Sequence, residues 1–232
     1  MKKILAFIIA TGLFTSVHAQ KFYVQGGLNL ANITTTNNGG TSDNNVLPTF
    51  NAGAMATFGI SPVFDLETGL LFTGRGSKFD VFLNSNDHTD NYFKYKFNPY
   101  YIELPVNAQV KFPLAGKKSS IFVSAGPYIA MGVAGKVKTE TKIIGNVVNS
   151  SSTIKFSNSS QTNNQQGQNF DEIKRFDYGA NFGAGIDFGH FIIKAGYGLG
   201  LAKINASQTN NNSNDKNKYR TFTFSIGIPL GN

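Results

Sequence analysis

The alternation of apolar and polar residues is the feature that most constrains this chain. In the segment Asp177–Phe188 (DYGANFGAGIDF), the even-numbered positions carry Tyr, Ala, Phe, Ala, Ile and Phe, whereas the odd-numbered ones carry Asp, Gly, Asn, Gly, Gly and Asp. A period of two residues is that of a β-strand, because successive side chains point to opposite faces of the sheet. A face built from glycine and carboxylates is unsuited to the inside of a water-soluble sandwich. It suits the lumen of a barrel whose outer face contacts lipid.

The same pattern recurs along the chain and predicts eight strands. Their predicted bounds are Phe22–Ile33, Thr49–Ile60, Phe64–Arg75, Tyr100–Phe112, Ile121–Val133, Phe176–Phe188, Phe191–Ala202 and Tyr219–Ile228. Each is near or above the roughly 9–11 residues that a tilted strand needs to cross a bilayer. The sequence therefore predicts an all-β fold, an eight-stranded antiparallel up-and-down transmembrane β-barrel.

The connections between the predicted strands alternate in length. The short ones are Ser61-Pro62-Val63, Pro113–Ser120 and Gly189-His190, and the long polar ones are Thr34–Pro48, Gly76–Pro99, Ala134–Arg175 and Lys203–Lys218. This alternation is typical of barrels with short periplasmic turns and long outer loops. Two Asn- and Ser-rich stretches, Asn146–Asn169 and Asn205–Asn217, are expected to be mobile and unable to bury a core.

One predicted strand shows a change of phase. Phe93, Tyr95 and Phe97 are odd-numbered, whereas the apolar set from Tyr100 onward is even-numbered. An extra residue at Asn98-Pro99 would reconcile the two halves, so the sequence predicts a β-bulge there.

The N-terminus predicts export. Lys2 and Lys3 precede an apolar run from Ile4 to Phe14, and a small residue, Ala19, stands at the expected cleavage point. This order is that of a cleavable secretory signal peptide. We therefore expect residues 1–19 to be a signal peptide and residues 20–232 to be one barrel domain in the outer membrane. The chain contains no cysteine, so its stability cannot depend on disulfides.

The inward face of the predicted barrel carries ionic residues of both signs. They are Glu67, Arg75, Glu103, Lys111, Asp177, Asp187 and Lys194. Eight strands enclose a lumen just wide enough for side chains, and an unpaired buried charge is costly. We therefore expect Glu67 and Glu103 to pair with Lys194, Lys111 or Arg75 in a structural network that fills the lumen and disfavours a general diffusion pore.

The excess of basic residues indicates which partners the chain could bind. The formal net charge is +8, and under this topology the basic residues concentrate near the long connections. An outer leaflet of phosphate-bearing lipopolysaccharide would attract them; the alternative, equally open, is that they simply mark solvated strand ends. Nucleic acid is not expected as the partner of an exported chain.

No catalytic, cofactor or metal site is predicted. His88, between Asp87 and Asp90, resembles the Asp/His pairs of outer-membrane proteases or a metal site. Such enzymes need further carboxylates from other strands, so the sequence favours a protein that is not an enzyme and needs no cofactor.

Three segments carry a family resemblance. They are Tyr100–Phe112 (YYIELPVNAQVKF) with the Gly-rich strand after it, Gly26–Ile33 (GGLNLANI) and Leu66–Phe79 (LETGLLFTGRGSKF). Together they resemble the PorT-like outer-membrane β-barrel family of Bacteroidetes. The resemblance implies a fold and a location but no reaction. The expected function is surface interaction or envelope integrity; the alternatives are a component of a protein secretion assembly, an outer-membrane enzyme and a narrow porin.

Overall fold

β-Strands make up most of the molecule. The structure, a computed structural model, describes residues 20–37, 40–43, 45–82, 91–114, 119–157, 172–204 and 216–231. Thirteen strands lie within these ranges: β1 Gln20–Asn37, β2 Gly40–Asp43, β3 Leu47–Ser61, β4 Phe64–Gly74, β5 Ser77–Phe82, β6 Tyr92–Pro113, β7 Ser120–Ile143, β8 Asn146–Thr153, β9 Lys155–Ser157, β10 Glu172–Lys174, β11 Phe176–Asp187, β12 Ile192–Gly200 and β13 Lys216–Pro229. No helix in these ranges is long and apolar enough to cross a membrane. The expected signal peptide, residues 1–19, lies outside the described residues.

Eight of the strands form a closed ring. The order is β1, β3, β4, β6, β7, β11, β12 and β13, every neighbouring pair is antiparallel, and β13 returns to β1 with Phe224 opposite Leu28. Closure gives every strand of the ring two backbone partners, so the wall has no free edge. The predicted eight-stranded antiparallel barrel is confirmed. Six of the eight predicted strands agree with the observed bounds within a few residues, whereas β6 and β7 are much longer.

The two faces of the wall differ as the alternation requires. Large apolar side chains such as Leu70, Phe224 and Ile129 point outward and are 58%, 52% and 62% exposed. Their sequence neighbours on the other face, for example Tyr128 and Ser225, are buried in the lumen. On the outer face, the rings of Phe50, Phe72 and Tyr100 contact one another with centroids 5.1–5.9 Å apart, near the end that carries the long connections. We call these three residues the aromatic patch.

Strands β6 and β7 continue beyond the ring into a sheet extension. β5 pairs with residues 92–97 of β6, and β8 pairs with residues 136–143 of β7, so that four strands project from one end of the barrel. We call β5, residues 92–99 of β6, residues 134–143 of β7 and β8 the blade.

The blade corrects two expectations about the long connections. Gly76–Pro99 and Ala134–Arg175 are not simply polar loops, because they contain β5, β8, β9, β10 and the ends of β6 and β7. Within the Asn-rich stretch expected to be mobile, residues 146–153 form β8. Backbone pairing with β7 needs no apolar side chains, which is why composition misjudged the segment. Residues 158–171 and 205–215 lie outside the described residues.

The predicted bulge at Asn98-Pro99 is wrong. β6 keeps one phase, with Phe97, Pro99 and Tyr101 all buried on the inward face. The extra residue is on the facing strand: Tyr100 pairs with Ala134 and Tyr101 with Gly132, which leaves Val133 of β7 unmatched. Phe97 misled the analysis because it is apolar and nevertheless points inward, where the end of the lumen is itself apolar.

Candidate functional site: the filled lumen

Glu67 is the centre of a polar network near the short-turn end. Its carboxylate accepts hydrogen bonds from Lys194 Nζ at 2.8 Å to both oxygens, from Gln109 Nε2 at 2.6 Å and from Asn107 Nδ2 at 3.3 Å. The hydroxyl of Tyr23 also donates to Glu67 and accepts from Lys194 at 3.0 Å. These groups come from β1, β4, β6 and β12, so the network spans the lumen from one wall to the other. Because Glu67 as a whole is only 1% exposed, its carboxylate is stabilised by these donors rather than by water.

A ladder of amides and hydroxyls lies in the same lumen beside β1, β3, β4 and β13. Asn29 Nδ2 donates to Thr73 Oγ1 at 2.8 Å, and its Oδ1 accepts from Asn51 Nδ2 at 2.8 Å and from Thr223 Oγ1 at 3.2 Å. Ser225 Oγ donates to Asn51 Oδ1 at 3.1 Å. Short uncharged side chains thereby fill the part of the lumen beside these four strands.

Arg75 is the centre of the second ionic network. Its guanidinium donates to the carboxylates of Glu103 and Asp177 and to the hydroxyl of Tyr128, the last at 3.0 Å. It also lies over the ring of Tyr128, 4.5 Å from the centroid, and faces the rings of Tyr101 and Tyr219 at 5.4 and 5.8 Å. A planar guanidinium can make two carboxylate pairs and stack on aromatic faces at the same time, which an ammonium group cannot do.

The packing around Arg75 depends on a missing side chain. A Cβ added at Gly179 would lie 2.7 Å from Tyr128 Cε1 and 2.2 Å from the carbonyl oxygen of Leu199. Glycine at this position therefore provides the space in which the tyrosine ring contacts Arg75.

The remaining ionic residues pair at the rim of the short-turn end. Lys111 Nζ lies 2.7 Å from Asp65, and Lys21 Nζ lies 2.6 Å from Asp187. The structure thus places Glu67 with Lys194, Arg75 with Glu103 and Asp177, and both Lys111 and Asp187 with residues that the sequence analysis did not name. Asp65 and Lys21 could have been found, because each lies two positions from an inward residue on the same strand.

An apolar cap covers the other end of the lumen and was missed by the sequence analysis. Three isoleucines form it: Ile154 between β8 and β9, Ile173 of β10 and Ile204 after β12. They are buried against Phe97, Tyr101 and Tyr219. Phe156 packs edge-on to Tyr101 with centroids 5.8 Å apart. The expectation that the Asn-rich stretch buries no core is therefore wrong for Ile154 and Phe156. Isolated apolar residues in a polar segment were the available signal.

The space left in the lumen is small. A cavity of about 100 Å³ lies between the two networks and is lined by Glu67, Lys194, Arg75, Glu103 and uncharged neighbours. Each of these carboxylates already accepts hydrogen bonds from cationic and amide donors. Groups so occupied are suited to holding the wall together rather than to exchanging protons or ligating a metal.

A metal centre has no assembled site in the part of the chain that the structure describes. No group of three His, Cys, Asp or Glu side chains in these ranges is placed to hold a metal ion. Asp87, His88 and Asp90 lie outside the described residues.

A closed antiparallel ring with an apolar exterior and a polar interior defines the class of outer-membrane β-barrels. The chain belongs to the family described as outer membrane protein beta-barrel domain, whose model matches residues 15–206. No curated protein matches the chain.

Solved structures that match the chain share little sequence with it. Ail, the attachment invasion locus protein of Yersinia pestis, is 14% identical over 92% of this chain and 100% of that one, with a TM-score of 0.39. Neisserial surface protein A is 14% identical over 92% and 99%, with a TM-score of 0.38. The N-terminal barrel domain of Pseudomonas aeruginosa OprF is 10% identical over 88% and 97%, with a TM-score of 0.32.

Proposed function

We propose that this protein is a closed, non-catalytic outer-membrane barrel that acts through its outer surface, in surface interaction or envelope integrity. The observation that carries the proposal is the filled lumen. The networks of Glu67 and Arg75 and the apolar cap occupy successive levels of the interior, with a cavity of about 100 Å³ between the networks. A lumen filled in this way supports neither a general pore nor a narrow porin.

The blade is the surface best suited to an outer role. It projects from the end with the long connections, which in barrels of this type faces the exterior. Its Lys78, Lys96 and Lys138, and the edge of β8 that no other described strand pairs with, offer contacts to partners, among which we propose outer-membrane lipid and lipopolysaccharide. Neither a cofactor nor nucleic acid forms part of the proposal. An enzymatic role would rest on Asp87, His88 and Asp90, and no contact of a described residue favours it.

Conductance in planar bilayers tests the closed lumen. The purified protein is expected to give no steady porin-sized current, whereas Glu67→Ala with Lys194→Ala should introduce small openings, because it removes the cross-lumen pair. Lys94→Ala with Glu140→Ala removes an ion pair of the blade, Nζ to Oε1 3.5 Å, and serves as the matched control. Steady porin-sized current through the unmodified protein would refute the proposal.

A second candidate function is membership of a protein secretion assembly. Two observations favour it: the resemblance of Tyr101-Ile102-Glu103-Leu104-Pro105 to the PorT-like family, and the outer edge of β8, whose eight residues are all exposed. Unpaired strand edges recruit extended segments of other proteins. Deletion of the gene should then impair secretion of surface proteins. A proline at Asn149, whose backbone N–H points away from β7 in this hairpin register, should reproduce the defect. Normal secretion in the deletion strain would exclude this candidate.

A further inference from the structure

The outward side of the blade carries lysines in cross-strand register. Lys78 of β5 pairs with Lys96 of β6, which pairs with Lys138 of β7, and Ser151 of β8 completes the row. Because paired residues in an antiparallel sheet share a face, the three ammonium groups stand side by side on the side that continues the lipid-facing wall. We call Lys78, Lys96 and Lys138 the lysine row.

The lysine row is not neutralised within the described part of the chain. The next row up the blade holds Asp80, Lys94 and Glu140, and there Lys94 pairs with Glu140 at 3.5 Å. None of the three lysines of the row has such a partner among the described residues. Like charges directly opposite each other destabilise a sheet, so the arrangement calls for an external anion. An open pocket of about 780 Å³ lies against both rows and is also lined by Asn149, Ser150 and Ser151.

The height of the lysine row matches the headgroup layer of a membrane. Tyr100, in the aromatic patch, is the last outward aromatic of β6 before the blade, and Lys96 lies four residues further along the strand. At about 3.3 Å per residue and a tilt of about 40°, the two differ in height by roughly 10 Å. Aromatic side chains mark the boundary of the hydrocarbon region, and the polar headgroups lie within about 10 Å beyond it.

An apolar strip lies further down the same face of the same two strands, below the intervening outward residues Asn98, Tyr100 and Lys136. Ile102 of β6 and Ile129 and Met131 of β7 are 40%, 62% and 40% exposed on the lipid-facing side. A ligand lying along β6 and β7 would therefore meet hydrocarbon-compatible side chains first and three positive charges at its head. Only an amphipathic anion matches both parts.

The geometry points to a specific lipid site: the lysine row binds the phosphate groups of an outer-leaflet glycolipid whose acyl chains lie on Ile102, Ile129 and Met131. This inference rests on the surface role proposed above and narrows it to one partner and one face. The serine and asparagine side chains of β8 add hydrogen-bonding groups for the sugar to which the phosphates are attached.

Binding of diphosphoryl lipid A to the full chain in detergent micelles, followed by native mass spectrometry, tests the site. Lys78→Gln, Lys96→Gln and Lys138→Gln together should weaken binding by about tenfold or more, because each lysine facing anionic headgroups contributes several-fold. The matched control is Lys155→Gln, Lys174→Gln and Lys203→Gln, which removes the same charge from the same end of the barrel and should change binding by less than about twofold. Lipid A without its phosphates should bind the unmodified protein as weakly as the diphosphoryl form binds the row variant.

The outcomes separate this site from its alternatives. An equal loss of lipid A affinity in the two triple variants would show that binding depends only on the overall charge. Unchanged affinity in the variant of the lysine row would show that the row is not the site. Inorganic phosphate or a sulfated polysaccharide binding to the row as tightly as lipid A would overturn the lipid assignment. Single Lys96→Gln and Lys138→Gln variants, each expected to lose part of the binding, repeat the test if the triple variant does not refold. Conductance of the same preparations reports separately on the closed lumen, so either claim can fail alone.

Discussion

Arg75 is the residue on which the charge balance of the lumen depends most. Two carboxylates, Glu103 and Asp177, share this single guanidinium, and the side chains of all three residues are at most 8% exposed. Attraction between the guanidinium and the carboxylates offsets the free energy of removing these charges from water, which would be unfavourable for either carboxylate alone. Arg75 therefore stabilises the barrel chiefly because, without it, the buried carboxylates of Glu103 and Asp177 would have no cation.

Replacing Arg75 should be strongly destabilising. Arg75→Leu leaves two buried carboxylates without their cation and is expected to lower the free energy of unfolding by about 3–5 kcal/mol. Adding Glu103→Gln and Asp177→Asn should recover part of the loss, because the uncompensated charges disappear. Urea unfolding of the refolded barrel measures both.

The control for Arg75 is Arg175→Leu. Arg175 is exposed and donates to the carbonyl oxygen of Phe156 at 3.3 Å, so its loss should cost less than about 1 kcal/mol. Equal losses for the two arginines would contradict the proposed role of Arg75.

Ile144 is a residue in a conformation it does not favour. It has a φ of +48°, is 86% exposed and precedes Gly145, whose φ is +78°, in the two-residue turn between β7 and β8. Such a turn prefers Asn-Gly, because a β-branched side chain crowds the backbone at positive φ. Ile144→Asn should therefore stabilise the hairpin by about 1 kcal/mol.

Hydrogen exchange of the β7–β8 amides measures this effect. The paired amides should exchange about fivefold more slowly in Ile144→Asn. Ile143→Asn, at a neighbouring strand position, gives no such gain and is the control. Unchanged or faster exchange in Ile144→Asn would show that the turn is not strained by isoleucine.

Glu140 and Tyr92 form a titratable contact on the blade. Tyr92 Oη donates to Glu140 at 2.7 Å, and this hydrogen bond, assisted by Lys94, lowers the pKa of Glu140 below its ordinary value. A lowered pKa means that the contact stabilises the blade at pH values above the ordinary glutamate pKa and loses this effect as the pH falls through the lowered value. Tyr92→Phe should raise the pKa of Glu140 toward normal in a ¹³C NMR titration. An unchanged pKa would contradict the assignment of the hydrogen bond as its main cause.

At the scale of elements, the unmatched residue in β7 determines which side chains of β7 point outward in the blade. Val133 shifts the phase of β7, so that Gly135 and Val137 continue the inward face while Lys136 and Lys138 point outward. A one-residue change in register exchanges the two faces of a strand. The bulge therefore places Lys138 on the same side as Lys78 and Lys96, and completes the lysine row.

Deleting Val133 should exchange these faces. The chain has no cysteine, so single Lys138→Cys and Val137→Cys variants can be labelled with a water-soluble maleimide. In the full-length chain the cysteine at 138 should react and that at 137 should be protected, and the deletion should reverse the pattern. Deletion of Ile144, beyond the tested positions, is the control. An unchanged labelling pattern after deletion of Val133 would show that the bulge does not set the register.

The blade and the cap show where prediction of elements from sequence stops. Alternation located the eight ring strands because a wall between lipid and lumen imposes opposite chemistry on its two faces. The blade does not separate lipid from lumen, and all eight residues of β8 are exposed, so β5 and β8 lack that contrast. Phe97 can point inward although it is apolar, because Ile154, Ile173 and Ile204 pack against it. These isoleucines are distant in sequence, so the residues around Phe97 give no sign of the contact.

At the scale of the whole molecule, the ring explains why the lumen residues could be predicted from the sequence and their ion pairs could not. The parity of each strand places residues such as Glu67, Glu103 and Lys194 in the lumen from sequence alone. Which cation meets which carboxylate depends on strand stagger and on the height of each residue in the barrel, which parity leaves undefined. From parity alone, Lys194, Lys111 and Arg75 are equivalent partners for Glu67 and Glu103, and only the three-dimensional arrangement distinguishes them.

The most direct test of the account is the side of the wall that contacts lipid. The chain contains no tryptophan, so a single Phe224→Trp variant and a single Phe122→Trp variant each carry one fluorophore, the first outward and 52% exposed, the second inward and 4% exposed. In bilayers of brominated phospholipid, the tryptophan at 224 should be strongly quenched and that at 122 should not. Quenching at 122 with none at 224 would contradict the central claim that the apolar face of this barrel is its exterior.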